Sequence, residues 1–238
     1  MKRILIALAV LLAVQVADAQ VKSPAAAAKA VTSAEAASKD AKKAAKVATW
    51  VKLAQSYMDA YNAPAGNAWI GATAQELSLL MGSEKPVSET QVELNGIPYL
   101  KVSYSNKDFY YGQDLKLAMI IVTQPVVEDA LAKSFEAWKA YEVDAKQSKV
   151  KDINAGLASI AQKYVGDAYN AYQFGDLAKA SKLFAAAAEV SATAPYSNLD
   201  KDALYNAGFT AWMAKDYAGA QKYFEECVAN EYYYDDGE

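Results

Sequence analysis

Histidine is missing altogether, cysteine occurs once and arginine once, at Arg3. Without histidine, Ser-His-Asp and Cys-His catalysis have no general base, and the usual zinc ligand sets have no imidazole. No glycine-rich phosphate loop is present either. The single cysteine, Cys227, excludes an intramolecular disulfide, so stability rests on packing. It lies beside Phe224 on an apolar helical face and reads as a small buried hydrophobe rather than as a thiol pairing between chains. The longest apolar run, Ile4 to Val14, falls well short of the ~20 residues that a membrane-spanning helix needs.

That run follows Lys2-Arg3 and precedes Ala17-Asp18-Ala19. A positive start, a short apolar stretch and an Ala-x-Ala site predict an export signal over residues 1–19, cleaved after Ala19. No cysteine follows it to carry a lipid, so a periplasmic or extracellular protein with no stable membrane anchor is expected. Loss of Lys2, Arg3 and Asp18 leaves 24 − 2 basic against 28 − 1 acidic side chains, a net charge of −5. With no basic stripe and no arginine for bidentate phosphate contacts, nucleic acid is excluded as a partner.

What the chain has in quantity is alanine, which favours helix and close helix packing. Residues 20–47 form an Ala/Lys-rich helical lead segment, its helix ending near Lys39-Asp40, with so few large side chains that loose packing is expected. Trp50, Leu53, Ala54, Tyr57 and Tyr61 then mark one face of a helix that Pro64-Ala65-Gly66 stops. Residues 65–124 change character. Thr73-Ala74-Gln75-Glu76 is a capping box opening a short helix to Met81, ended by Gly82. Asn95-Gly96 between two β-type runs predicts a two-residue hairpin, and further runs at Phe109 to Tyr111 and Leu115 to Thr123 make three or four antiparallel strands. So small a sheet needs helix on one face. Pro98 predicts an edge position or the start of a strand. Pro125 reopens helix at a first turn, with Leu131, Phe135, Trp138 and Tyr141 at helical spacing.

An internal repeat is visible near the C-terminus. Gly175-Asp176-Leu177-Ala178-Lys179-Ala180 through Phe184 aligns with Lys215-Asp216-Tyr217-Ala218-Gly219-Ala220 through Phe224 at a constant offset of 40 residues. Trp50-x2-Leu53-Ala54-x2-Tyr57 and Leu204-x2-Ala207-Gly208-x2-Ala211, the latter followed by Ala220-x3-Phe224, resemble the tetratricopeptide-repeat family, whose unit runs Trp-x2-Leu-Gly-x2-Tyr and then Ala-x3-Phe. The resemblance implies a mainly α fold: a solenoid of antiparallel helix pairs carrying an inserted small β-meander. A first pair would be split between residues 48–64 and 125–147 by the insertion at 65–124, with repeats at 150–192 and 199–230. Residues 231–238 would begin a further helix, as in a truncated array. The repeat offset exceeds the family's 34 residues, Asp167 stands where leucine belongs, and Ser134-x3-Trp138 replaces Ala-x3-Phe. Leader, split unit and insertion together look similar to exported repeat proteins of Gram-negative cell envelopes.

In that family the first helix of each unit lines a concave groove for peptides or protein segments. The matching positions are Val165, Tyr169 and Tyr172 in one unit and Tyr205, Phe209 and Trp212 in the next. Tyrosine and tryptophan offer large contact area with little rotamer entropy to lose. The competing reading packs the same rings against the insertion or a following repeat. Adjacent acids such as Glu128-Asp129 and Glu225-Glu226 point about 100° apart on a helix and make poor acid–base pairs. A non-catalytic exported scaffold or adaptor is therefore expected, with no cofactor or metal. The alternative is a carbohydrate- or small-ligand-binding envelope protein using exposed aromatics such as Trp69 and Trp212.

Overall fold

The computed structural model describes residues 21–80, 84–139, 144 and 146–232. The segment 1–19 expected to be an export signal, Gly82, Tyr141 and the tail from Tyr233 onward lie outside the described residues. The fold is mainly helical, with a small four-stranded antiparallel sheet.

Helix α1 (Pro24–Ser38) starts with proline in its first turn and Ser23 as cap, the serine oxygen accepting from Ala26 N–H. It buries Ala27, Val31 and Ala34, spaced four and three apart, against α3 (Val47–Asn62). Loose packing is thus corrected. Small side chains let two backbones approach closely, and Tyr57 fixes the contact by donating to Glu35 at 2.6 Å. Between them, α2 (Ala41–Ala44) is capped by Asp40, and Trp50 Nε1 donates to its last carbonyl, Ala44.

Helix α5 (Ala130–Trp138) packs on α3 from the far side of the insertion, and Ser134 Oγ donates to the Ala54 carbonyl at 2.9 Å. It begins at Ala130 rather than at Pro125. Residues 126–129 form bends and turns instead, ending in a left-handed Asp129, and both Val126 and Val127 pack on the core. Next come α6 (Val150–Gln173), α7 (Leu177–Ala192), α8 (Lys201–Met213) and α9 (Tyr217–Ala229), each packed on the helix before it. Asp176, Asp200 and Asp216 cap the last three by accepting a backbone N–H three residues on. The 40-residue offset holds in the backbone too: Gly175 and Lys215 both take positive φ before their caps, at 75° and 64°. Phe184, Ala187, Leu204 and Cys227 share one core cluster. Cys227 is buried, and its thiol is held above its ordinary pKa by desolvation.

In the insertion, Thr73 and Glu76 form the reciprocal capping box at the head of α4 (Ala74–Leu80), each accepting the other's backbone N–H. The strands β1 (Ser88–Leu94), β2 (Ile97–Ser103), β3 (Lys107–Tyr111) and β4 (Leu117–Val122) pair in sequence order. Asn95 and Gly96 both take positive φ in the β1–β2 turn. β3 pairs only with Leu100 to Ser103 of β2, so Pro98 meets a ladder on one side alone. One sheet face, with Val102, Phe109, Tyr111 and Leu117, is covered by Leu77 of α4. Lys107 is buried at its end, both Glu84 oxygens accepting from its ammonium at 2.8 Å. The other face presents Tyr99, Tyr110 and Met119.

Candidate functional site

Asp202, Tyr205, Phe209 and Trp212 are spaced three, four and three apart on α8 and so share one face. Their rings form a continuous row: Tyr205 stacks on Phe209 at 6.3 Å and 12°, and Phe209 meets Trp212 at 6.0 Å and 34°. Tyr232 extends the row, its ring 6.2 Å from Tyr205 and its hydroxyl donating to Asp202. Trp212 is 54% exposed, whereas Tyr205 and Phe209 are half-buried. On α6, Val165, Tyr169 and Tyr172 are half-buried against the same core cluster, with Tyr169 edge-on to Phe184 at 5.1 Å. Val165, Tyr169, Tyr172 and Tyr205 therefore each turn one side to the core and the other outward. An open groove of about 450 Å³ runs between α6 and the start of α8, lined by Gln162, Val165, Tyr196, Asp200, Asp202 and Tyr232.

The packing of the rings is mostly on neighbouring helices. Tyr169 leans on α7, and Tyr205 leans on Phe224 of α9 at 5.7 Å. The insertion touches this region at one point that sequence reasoning missed. The Asn95 side-chain amide donates to the Tyr172 and Gln173 carbonyls, both at 3.0 Å, satisfying two acceptors at the C-terminal end of α6. Tyr110 of the sheet meets Phe174 edge-on at 5.4 Å beside it. In sequence, Asn95 carries only its turn signal.

Asp167, the departure from the leucine pattern, has a structural reason. Its carboxylate accepts from the Tyr61 hydroxyl at 2.9 Å and so ties α3 to α6. Burial raises its pKa, opposed by the Tyr61 hydrogen bond and by the ammonium groups of Lys163 and Lys179. Burial lowers that of Lys163, opposed by Asp167, and its ammonium stands 6.0 Å over the Tyr61 ring. The Tyr61 hydroxyl is held far above its ordinary range by burial and by Asp167, and Tyr164 is pushed up to about 12 by burial and by the carboxylates of Asp167, Glu189 and Asp129.

Tyr61→Phe is expected to lower stability by about 1.5–2 kcal/mol, the loss of one hydrogen bond to a half-buried carboxylate. The same change at exposed Tyr217 should do nothing measurable. The pH dependence has a defined sign. Asp167, with its pKa raised in the folded protein, contributes most stability below its ordinary 3.8 and loses it as pH rises through the raised value. Tyr61→Phe removes an opposing influence and extends that loss to higher pH, while Asp167→Asn flattens the slope. Urea titrations at several pH values measure all three; an unchanged Tyr61→Phe midpoint would refute the role of the pair.

Comparison with protein-family models, with curated proteins and with solved structures finds no match. The site must be read from its own geometry. Among the described residues, no group of three acidic, cysteine or histidine side chains is placed to hold a metal, and no helix is long and apolar enough to cross a membrane. Of the adjacent acidic pairs, Glu128-Asp129 and Glu225-Glu226 are exposed to solvent, and Asp235-Asp236 lies outside the described residues.

Proposed function

We propose that the chain is an exported tetratricopeptide-type α-solenoid that holds a protein or peptide partner in the groove formed by α6 and α8, without catalysing a reaction. The observation that carries this reading is the row Tyr205–Phe209–Trp212, continuous ring to ring and ending in a tryptophan 54% exposed. A large amphipathic ring held by its neighbours and left half in water is pre-organised to bury apolar area on binding. The repeat reading is supported by the 40-residue register of caps and turns and by the contact of Phe224 with the small residue Gly208, where an added Cβ would lie 2.8 Å from the ring.

Trp212→Ala is expected to weaken partner binding by about 2 kcal/mol or more, roughly thirtyfold, with stability little changed because the indole is largely in water. A photo-crosslinking residue placed at position 212 should capture the partner from a cell-envelope extract, and one placed at exposed Lys222 on α9 should not. Equal capture from both positions would refute the groove assignment. The sugar-stacking alternative draws on the exposure of Trp69, 37%, alongside Trp212; loss of the position-212 crosslink on adding envelope oligosaccharide would favour it instead.

A further inference from the structure

The sheet has two edges, β1 and β4, and they differ in kind. β1 carries Glu89 and Glu93, the sort of charge that keeps an edge from pairing. β4 reads Leu-Ala-Met-Ile-Ile-Val, apolar throughout and β-branched at its end, with no charge and no proline. Its Ile120, Ile121 and Val122 are only half-buried. The outer side of β4 is covered at one end, where the Leu117 N–H donates to the Ala72 carbonyl at 2.8 Å and the Leu117 carbonyl accepts from Gly71 N–H at 2.7 Å. Beyond that point, no backbone group among the described residues bonds the strand from outside.

Which backbone groups face outward follows from one bond. The Thr123 N–H points inward, to the Asn106 carbonyl just before β3. In an antiparallel strand the N–H and C=O of a residue share a side, and the side alternates along the chain. Val122 and Ile120 therefore present both groups outward, and Ile121 turns its own to β3.

We infer that β4 pairs with β4 of a second copy of this chain, antiparallel about a twofold axis at Ile121, so that two four-stranded sheets join edge to edge. In this register Ile120 lies opposite Val122 on each side of the axis, and each such pair exchanges both its hydrogen bonds. Ile121 meets its own counterpart at the closer spacing of a non-hydrogen-bonded pair, so every cross-strand contact is apolar. Charge and symmetry together identify the occupant. The outward groups at 120 and 122 are placed evenly about 121, which makes the strand complementary to itself, and no charge opposes its like. The same operation on β1, about Gln91, sets Glu89 opposite Glu93 and is repelled. Self-pairing at this edge does not depend on the groove reading.

Sedimentation velocity of the full chain over about 1–100 µM should show the mass rising from one chain towards two. Ile121→Cys should give a disulfide-linked dimer on mild oxidation, because the residues on the axis hold their Cβ atoms close to bridging distance. Cys227 is buried and does not compete. Leu115→Cys, at a side chain 69% exposed but away from the axis, should stay unlinked. Ile120→Pro removes an outward N–H that no bond to β3 uses, and Ile121→Lys sets two ammonium groups against each other on the axis. Each should weaken association at least about tenfold, with circular dichroism unchanged. A chain that stays monomeric throughout, a dimer that both variants leave intact, or equal crosslinking from positions 115 and 121 would overturn the inference.

Discussion

Phe184→Ala is expected to cost about 3–5 kcal/mol of folding stability, and the repeat-equivalent Phe224→Ala no more than about half as much. Phe184 is 2% exposed and among the largest fully buried side chains of the protein. It lies on α7, which packs on α6 before it and α8 after it, and its ring takes the edge of Tyr169 at 5.1 Å. Truncation removes the ring's transfer free energy and leaves a cavity between three helices that cannot collapse without moving one of them. Phe224 occupies the same place in the 40-residue register but is half-buried, packed on Gly208 and Tyr205, while Gln221, Lys222, Glu225, Glu226 and Val228 of its helix are exposed. Water reaches its site already, so less is lost. Urea unfolding of the two variants measures the difference; equal losses would contradict the account of where the core lies.

Two glycines of α6 are expected to respond to alanine with opposite signs. At Gly156 a Cβ would lie 2.2 Å from Trp138 Cε2 and 2.3 Å from Cζ2, far inside contact distance. Trp138 is 3% exposed and clustered with Phe135, Ile153 and Leu157, so its indole has nowhere to go. Alanine removes roughly 1 kcal/mol of helix-propensity penalty, but the overpacking exceeds that, and a net loss of about 3 kcal/mol is expected. At Gly166, ten residues along the same helix, an added Cβ meets nothing within 4 Å. Gly166→Ala therefore keeps the propensity gain and should stabilise by about 0.5–1 kcal/mol. Thermal or urea melts of both variants decide it, and a stabilised Gly156→Ala would show that the Trp138 contact is not a constraint.

Helix and turn boundaries were legible wherever the signal sits within a few residues. The Thr73–Glu76 capping box, the Asn95-Gly96 turn and the stop near Lys39 all appear as read. Pro125 misled, because proline permits a helix start without requiring one, and the burial of Val126 and Val127 decided for a bent segment. The lead helix misled in the other direction, since alanine content speaks to propensity and is silent on what a small-residue face meets.

The candidate site divides the same way. The amino-acid sequence by itself offered Tyr205, Phe209 and Trp212 through its resemblance to the repeat family, and their spacing of four and three residues is what sets them on one side of α8. Only the tertiary structure decided that Asp167 would be held by Tyr61, 106 positions away, and that Asn95 would close the end of α6 from 77 positions away. Capping, turn geometry and periodicity act over one turn of chain and are written in neighbouring residues. Contacts between distant residues depend on the packing angles of whole helices, which many side chains set together and no short stretch records.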